Sequence, residues 1–178
     1  MTSELPDLYR QAATWTIAKV AGARNQLDAA TPCDEWDVRT LLNHMLETQR
    51  YVVATGKGRE ATPPAAAPPS LISDDPTQDF IAARDDLLAT YADPAVLEKA
   101  ATGLGVAFSD ILIHGWDVAQ ATNQDAAMPA GLAEAAYNTI HGKFSDEQRQ
   151  GLFKPEVAVP ANADAQTKLL AYAGRQRT

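Results

Sequence analysis

Cysteine is almost missing from this chain. Cys33 is the single one, so no internal disulfide can form. Long apolar runs are missing too: no stretch of about 18 apolar residues occurs, and no membrane-spanning helix is expected. The opening residues, Met1-Thr2-Ser3-Glu4-Leu5-Pro6, lack the basic and apolar regions of a secretory signal. These deficits make the cytoplasm the expected compartment. Basic residues are few beside acidic ones, 15 against 23, for a formal charge of −8. Nucleic acid and anionic membrane surfaces are held by Lys and Arg, so neither is an expected partner. The basic residues are scattered, apart from Arg175 and Arg177 near the end. A small molecule or a protein fits better, and a homodimer is left open. No internal repeat and no strand–helix alternation occur, so the expected class is all-α. The 178 residues suffice for one domain, 1–178, with a sizeable core.

Against those absences stands Phe108-Ser109-Asp110-Ile111-Leu112-Ile113-His114-Gly115-Trp116-Asp117-Val118-Ala119. As a helix it is apolar almost all round, which implies burial on every side. Yet Asp110, His114 and Asp117 fall at i, i+4 and i+7, on one face roughly 60° wide. Desolvating two carboxylates and an imidazole is costly unless something compensates, and a bound cation would.

Along the chain, residues 5 to 28 read as a helix with Leu8, Trp15, Ile17, Val20 and Leu27 as a loose apolar face. Pro32 interrupts, and Asp37 is a candidate N-cap. The next helix runs from Val38 to about Thr55-Gly56, with Val38, Leu41, Leu42, Met45, Val52 and Val53 as its core stripe. His44 lies about 60° from Leu41, at the stripe's flank. Residues 61–70 are proline-rich and should form an extended crossover within a bundle. Asp75-Pro76 opens a third helix through Tyr91, and Asp93-Pro94 a short one to about Ala100. The organising helix is expected from about Leu104 to Thr122. A fifth runs from about Ala130 to His141. Residues 153–160 should be extended, and Asp164 caps a last helix stopped by Gly174.

His44 on one helix, with Asp110 and His114 on another, makes a candidate three-ligand site. Two imidazoles and one carboxylate suit a borderline divalent ion such as Zn²⁺, Ni²⁺ or Fe²⁺, with a coordination position left open. Asp117 would then orient an imidazole. The competing reading is an Asp110–His114 ion pair, with His44 unrelated at the core edge. His141, near a helix end, reads as solvated. Cys33 reads as a packing residue, because Asp34, Glu35 and Asp37 follow it and like charge disfavours a thiolate. Trp36 and Trp116 read mainly as core, with a pocket wall as the other option.

Two blocks, Thr31 through His44 and Asp110 through Ala119, resemble the signatures of an actinobacterial DinB-like (YfiT-like) metal-binding family. It is related to the N-terminal domain of mycothiol-dependent maleylpyruvate isomerase. The closing segment Phe153 to Arg175 resembles that family as well. The resemblance implies a DinB-like four-helix bundle with a long crossover and a short C-terminal extension. It implies a divalent metal, zinc foremost, on His44, Asp110 and His114. It further implies a thiol-dependent transferase or isomerase, in which a small thiol such as mycothiol attacks an electrophilic substrate. The isomerase has a glutamate where this chain has Asp110, so the helix must come closer or a water must bridge. The alternative is a non-catalytic protein, stress-related or carrying a metal and a small ligand, and a third reading is a structural bundle.

Overall fold

A computed structural model describes residues 4–33 and 36–176. Asp34, Glu35 and Arg177 lie outside the described residues. The order is α1 (Leu5–Ala23), α2 (Val38–Gly56), α3 (Pro76–Tyr91), α4 (Pro94–Ala121), α5 (Leu132–Ile140), α6 (Asp146–Leu152) and α7 (Ala165–Tyr172). No strand occurs among the described residues, only an isolated bridge between Ala30 and Asp37. The class is all-α, as expected.

Helices α1 to α4 close a four-membered bundle. α1 packs on α4 and α3, and α2 packs on the same two, which leaves α1 and α2 diagonal. The crossover of residues 57–75 joins α2 to α3. No helix among the described residues is long and apolar enough to cross a membrane.

Local chemistry accounts for most helix starts. Asp37 Oδ1 accepts from Thr40 N at 2.8 Å and caps α2. Asp75 caps α3 through Gln78 N, with Pro76 at the first position, where a missing N–H costs nothing. Ser145 and Gln148 form a reciprocal capping box on α6. Asp164 caps α7 through Thr167 N. Gly174, at φ 76°, ends it by supplying the left-handed turn.

One boundary differs from expectation. α1 stops at Ala23 rather than near residue 28, because the carbonyls of Leu27 and Ala29 turn to accept from Arg39 N and Val38 N at 2.8 and 2.9 Å. Those are among the first donors of α2, which have no partner inside their own helix. Within α4, the short helix after Pro94 meets the organising helix at a kink at Ala100 (φ −120°, ψ 18°), the boundary expected from the sequence.

α4 is the axis of the fold. Every residue from Ile111 to Ala119 is buried, because α1, α2 and α5 all pack on this helix. α1 lies close to it at Gly115, where Thr16 Oγ1 donates to Ile111 O at 2.9 Å. The core stripe of α2 is buried as the pattern requires.

Two irregular segments meet at one end of the bundle. Thr31 N donates to Trp36 O (3.2 Å), and Cys33 and Trp36 stand at this end. Residues 153–160 lie against α7, with Val157 N donating to Ala171 O at 3.0 Å. Lys154 Nζ ties the two segments together through Pro32 O at 2.9 Å.

Candidate metal centre

α2 and α4 are direct neighbours, and the site lies between them. The flank position of His44 turns its ring into that seam. His44 Nε2 lies 3.7 Å from Asp110 Oδ1, and His114 Nε2 lies 3.5 Å from the same oxygen. The two imidazoles meet edge-on, with centroids 5.2 Å apart. One donor atom from each of the three residues falls within 4.8 Å of the others. The structure therefore brings together the three side chains picked out in the sequence. His44 is not a separate core-edge residue.

The donor set fits a small divalent ion. Zinc takes nitrogen and oxygen ligands at about 2.0–2.1 Å, which at tetrahedral angles separates donors by about 3.3–3.4 Å. The separations of 3.7 and 3.5 Å here are only slightly wider. Side-chain exposures of 16%, 19% and 11% for His44, Asp110 and His114 leave the cluster partly accessible to solvent.

His114 is fixed from behind. Its Nδ1 lies 2.9 Å from Asp117 Oδ2, and Asp117 is wholly enclosed. Burial disfavours the Asp117 carboxylate, yet the charge of Arg175, followed by His114, holds its pKa well below the ordinary range. An ionised carboxylate only accepts, so a proton sits on His114 Nδ1, and Nε2 is the nitrogen turned toward Asp110. Metal-binding histidines are oriented in this way. Asp117 thus stands where the sequence expects it, behind an imidazole.

Sequence reasoning did not place two further members. Arg175 Nη2 donates to Asp117 Oδ2 at 2.8 Å and to Cys33 Sγ at 3.2 Å. Its Nε lies 3.3 Å from Asp117 Oδ1, and its Nη1 donates to Ala173 O at 2.7 Å. Cys33 Sγ in turn donates to Asp117 Oδ2 at 3.1 Å. Burial, then the Asp117 charge, pushes the Cys33 thiol up to about 12. Cys33 is thus a protonated donor in a polar cluster, neither a nucleophile nor simple packing. The signal for Arg175 was present: one cation directly after a helix-stopping glycine and an apolar Leu169–Ala173 run.

Charge in the cluster is balanced locally. Burial opposes a proton on His44, but Asp110 outweighs it and raises the His44 pKa. Burial likewise opposes charge on Asp110, while His114 and His44 hold its pKa below the ordinary value. His44 Nδ1 is buried without a hydrogen-bond partner among the described residues. Trp36 leans over the His44 ring at 4.8 Å and donates through Nε1 to Ala66 O at 3.0 Å, tying the crossover down beside the site. Trp116 is core. His141 is exposed and stacked on Tyr137, away from the cluster.

A family model described as the mycothiol maleylpyruvate isomerase N-terminal domain matches residues 9–119. That span includes all three proposed ligands and Asp117. Two uncharacterised proteins of Mycobacterium tuberculosis are similar to the chain, one from strain CDC 1551 / Oshkosh and one from strain H37Rv. Each is 28% identical, over 85% of this chain and 86% of the relative. No solved structure matches.

Proposed function

Because the chain belongs to the mycothiol maleylpyruvate isomerase N-terminal domain family, we propose that it holds one divalent metal ion, zinc foremost, and works with a small thiol such as mycothiol. His44 Nε2, Asp110 Oδ1 and His114 Nε2 would be the ligands. The observation that carries this reading is the convergence of those atoms, with Asp117 holding the far side of His114. When bound, such an ion supplies Lewis-acid chemistry that lowers the pKa of a coordinated thiol and keeps it deprotonated near neutrality.

The protein's own part is positional. Two neutral imidazoles and one carboxylate leave a divalent ion with a net positive charge, which favours an anionic fourth ligand. The partial access of the cluster to solvent admits that ligand. Trp36 and the crossover at Ala66 form one wall of the approach. The reaction class that follows is attack of the thiol on an electrophile, as in an S-transferase or a thiol-dependent isomerase.

Elemental analysis of protein purified without chelator tests the metal, with wild type beside His114→Ala. One ion per chain in the wild type, lost in the variant, is expected; equal metal in both removes the site. Cobalt-substituted wild type should then change its visible spectrum on adding mycothiol. An unchanged spectrum at saturating thiol overturns the thiol reading while leaving the metal.

A further inference from the structure

Behind the proposed ligands lies a second set of donors. Cys33 Sγ, His114 Nδ1 and an Asp117 oxygen converge within 4.8 Å, and both Cys33 and Asp117 are buried. A thiol, an imidazole and a carboxylate make a softer donor set than the outer one, of the kind that suits zinc or cobalt. His114 belongs to both sets through different nitrogens: Nε2 faces outward to Asp110 and Nδ1 faces inward to Asp117.

The inner set already holds a cation. The Arg175 guanidinium sits 2.8 Å from Asp117 Oδ2 and 3.2 Å from Cys33 Sγ. We propose that Arg175 is the resident cation of the inner donor set and thereby confines a divalent metal to His44, Asp110 and His114. Arg175 is in this sense a positioning residue, acting through Asp117 and Cys33. It cannot be deprotonated, so its positive charge stays in place wherever the fold does. A divalent ion entering the inner set would meet that charge at contact range, in a region with little water to screen it. Burial and the Asp117 carboxylate keep Cys33 a neutral thiol, against the opposite pull of Arg175. Metal binding there would require the thiol proton to leave to solvent and the guanidinium to move out.

The fold is arranged to deliver this one side chain. Gly174 takes the left-handed turn, and Arg175 N donates to Leu170 O at 2.8 Å, so the helix end aims Arg175 inward. A Cβ at Gly174 would overlap Lys154, which is held to Pro32 beside Cys33. The inference rests on the metal reading above for the outer set only.

The test is cobalt titration of four full-length proteins: wild type, Arg175→Met, Arg175→Lys and the double variant Cys33→Ser with Arg175→Met. The readouts are bound cobalt, the near-ultraviolet thiolate-to-cobalt band, and helical circular dichroism. Wild type and Arg175→Lys should bind one ion without a thiolate band. Arg175→Met should gain the band, with a second ion or with the first one relocated, and the double variant should lose the band again. Cobalt binding by Arg175→Met without a thiolate band overturns the proposal, and so does a thiolate band in the wild type. Should Arg175→Met lose its helical signal, Arg175→Gln takes its place under the same criteria. Wild type that binds no cobalt sinks the outer-site reading and leaves the Arg175→Met arm to decide this one.

Discussion

Asp117 and Arg175 stand 58 positions apart in the chain and 2.8 Å apart in space. The pair is enclosed, and its carboxylate also accepts from His114 and Cys33. One buried ion pair thus joins the central helix, the turn after the first helix and the end of the chain. Such a pair contributes little net stability when intact, since both partners are desolvated. Its value lies in geometry: each member has one low-energy arrangement, and His114 is held by the result.

Replacing Asp117 by Asn leaves Arg175 buried without its counter-charge. Breaking a buried pair in this way costs about 3–5 kcal/mol. The amide can also present its N–H₂ to His114 Nδ1, which frees the ring to adopt the other tautomer. Loss of such an orienting partner typically weakens metal binding by about 10–100-fold. Urea unfolding and cobalt titration of Asp117→Asn should show both losses. Wild-type affinity with reduced stability would mean that Asp117 serves the fold alone.

The pH dependence of stability should reverse when metal binds. The folded-state pKa of His44 is raised above 6.5, so its contribution is fully present below about that pH and is lost as pH rises through the folded value. Asp110 is held below its ordinary value and stays ionised throughout this range. Metal-free protein should therefore lose stability as pH rises above about 6.5, after correction against His44→Gln. Metal-loaded protein should gain stability over the same interval, because protons compete with the ion for His44. Parallel curves for the two forms would refute the assignment of His44 as a ligand.

The parts legible in the sequence are those set by neighbours in the chain. Asp37, Asp75 and Asp164 cap helices where capping chemistry placed them, and Gly174 stops α7. The shared face of Asp110, His114 and Asp117 followed from helical spacing alone. The angle of His44 to Leu41 puts it at the flank of the α2 stripe, but only the packing of α2 on α4 says what that flank faces. Arg175 and Cys33 were not legible as partners of Asp117. Nothing periodic relates residues 58 and 84 positions apart, and their contact depends on where two irregular segments come to rest. α1 ends early for a related reason: the carbonyls of Leu27 and Ala29, beyond its last turn, are claimed by the first N–H groups of α2, a competition invisible to local propensity.

The Asp37 cap admits a simple measurement. Its carboxylate accepts from Thr40 N, and the cap hydrogen bond contributes to a lowered pKa. Asp37→Ala should cost about 1 kcal/mol, within the usual range for a lost N-cap, and Asp37→Ser should restore most of it. His44 lies two turns further on, so cobalt affinity should change little in either variant. An affinity loss as large as that of Asp117→Asn would show that the start of α2 is coupled to the site beyond its capping role.

Gly115 tests whether the site depends on how closely α1 approaches α4. A Cβ there would overlap Thr16 Oγ1 and come within 2.8 Å of Trp15 Cζ3. Thr16 cannot simply rotate away, because its hydroxyl is buried and donates to Ile111 O. Gly115→Ala should therefore cost about 1–3 kcal/mol through overpacking, despite the gain in helix propensity. At Gly103, on the same helix, a Cβ would come no nearer than 3.3 Å, to the Tyr91 hydroxyl. Gly103→Ala should be close to neutral, with propensity gain and tight contact offsetting each other. Because Gly115 follows His114 directly, displacement of the two helices should move a proposed ligand and lower cobalt affinity in Gly115→Ala but not in Gly103→Ala. Equal affinities would mean that His114 is held by Asp117 firmly enough to ignore the helix beside it.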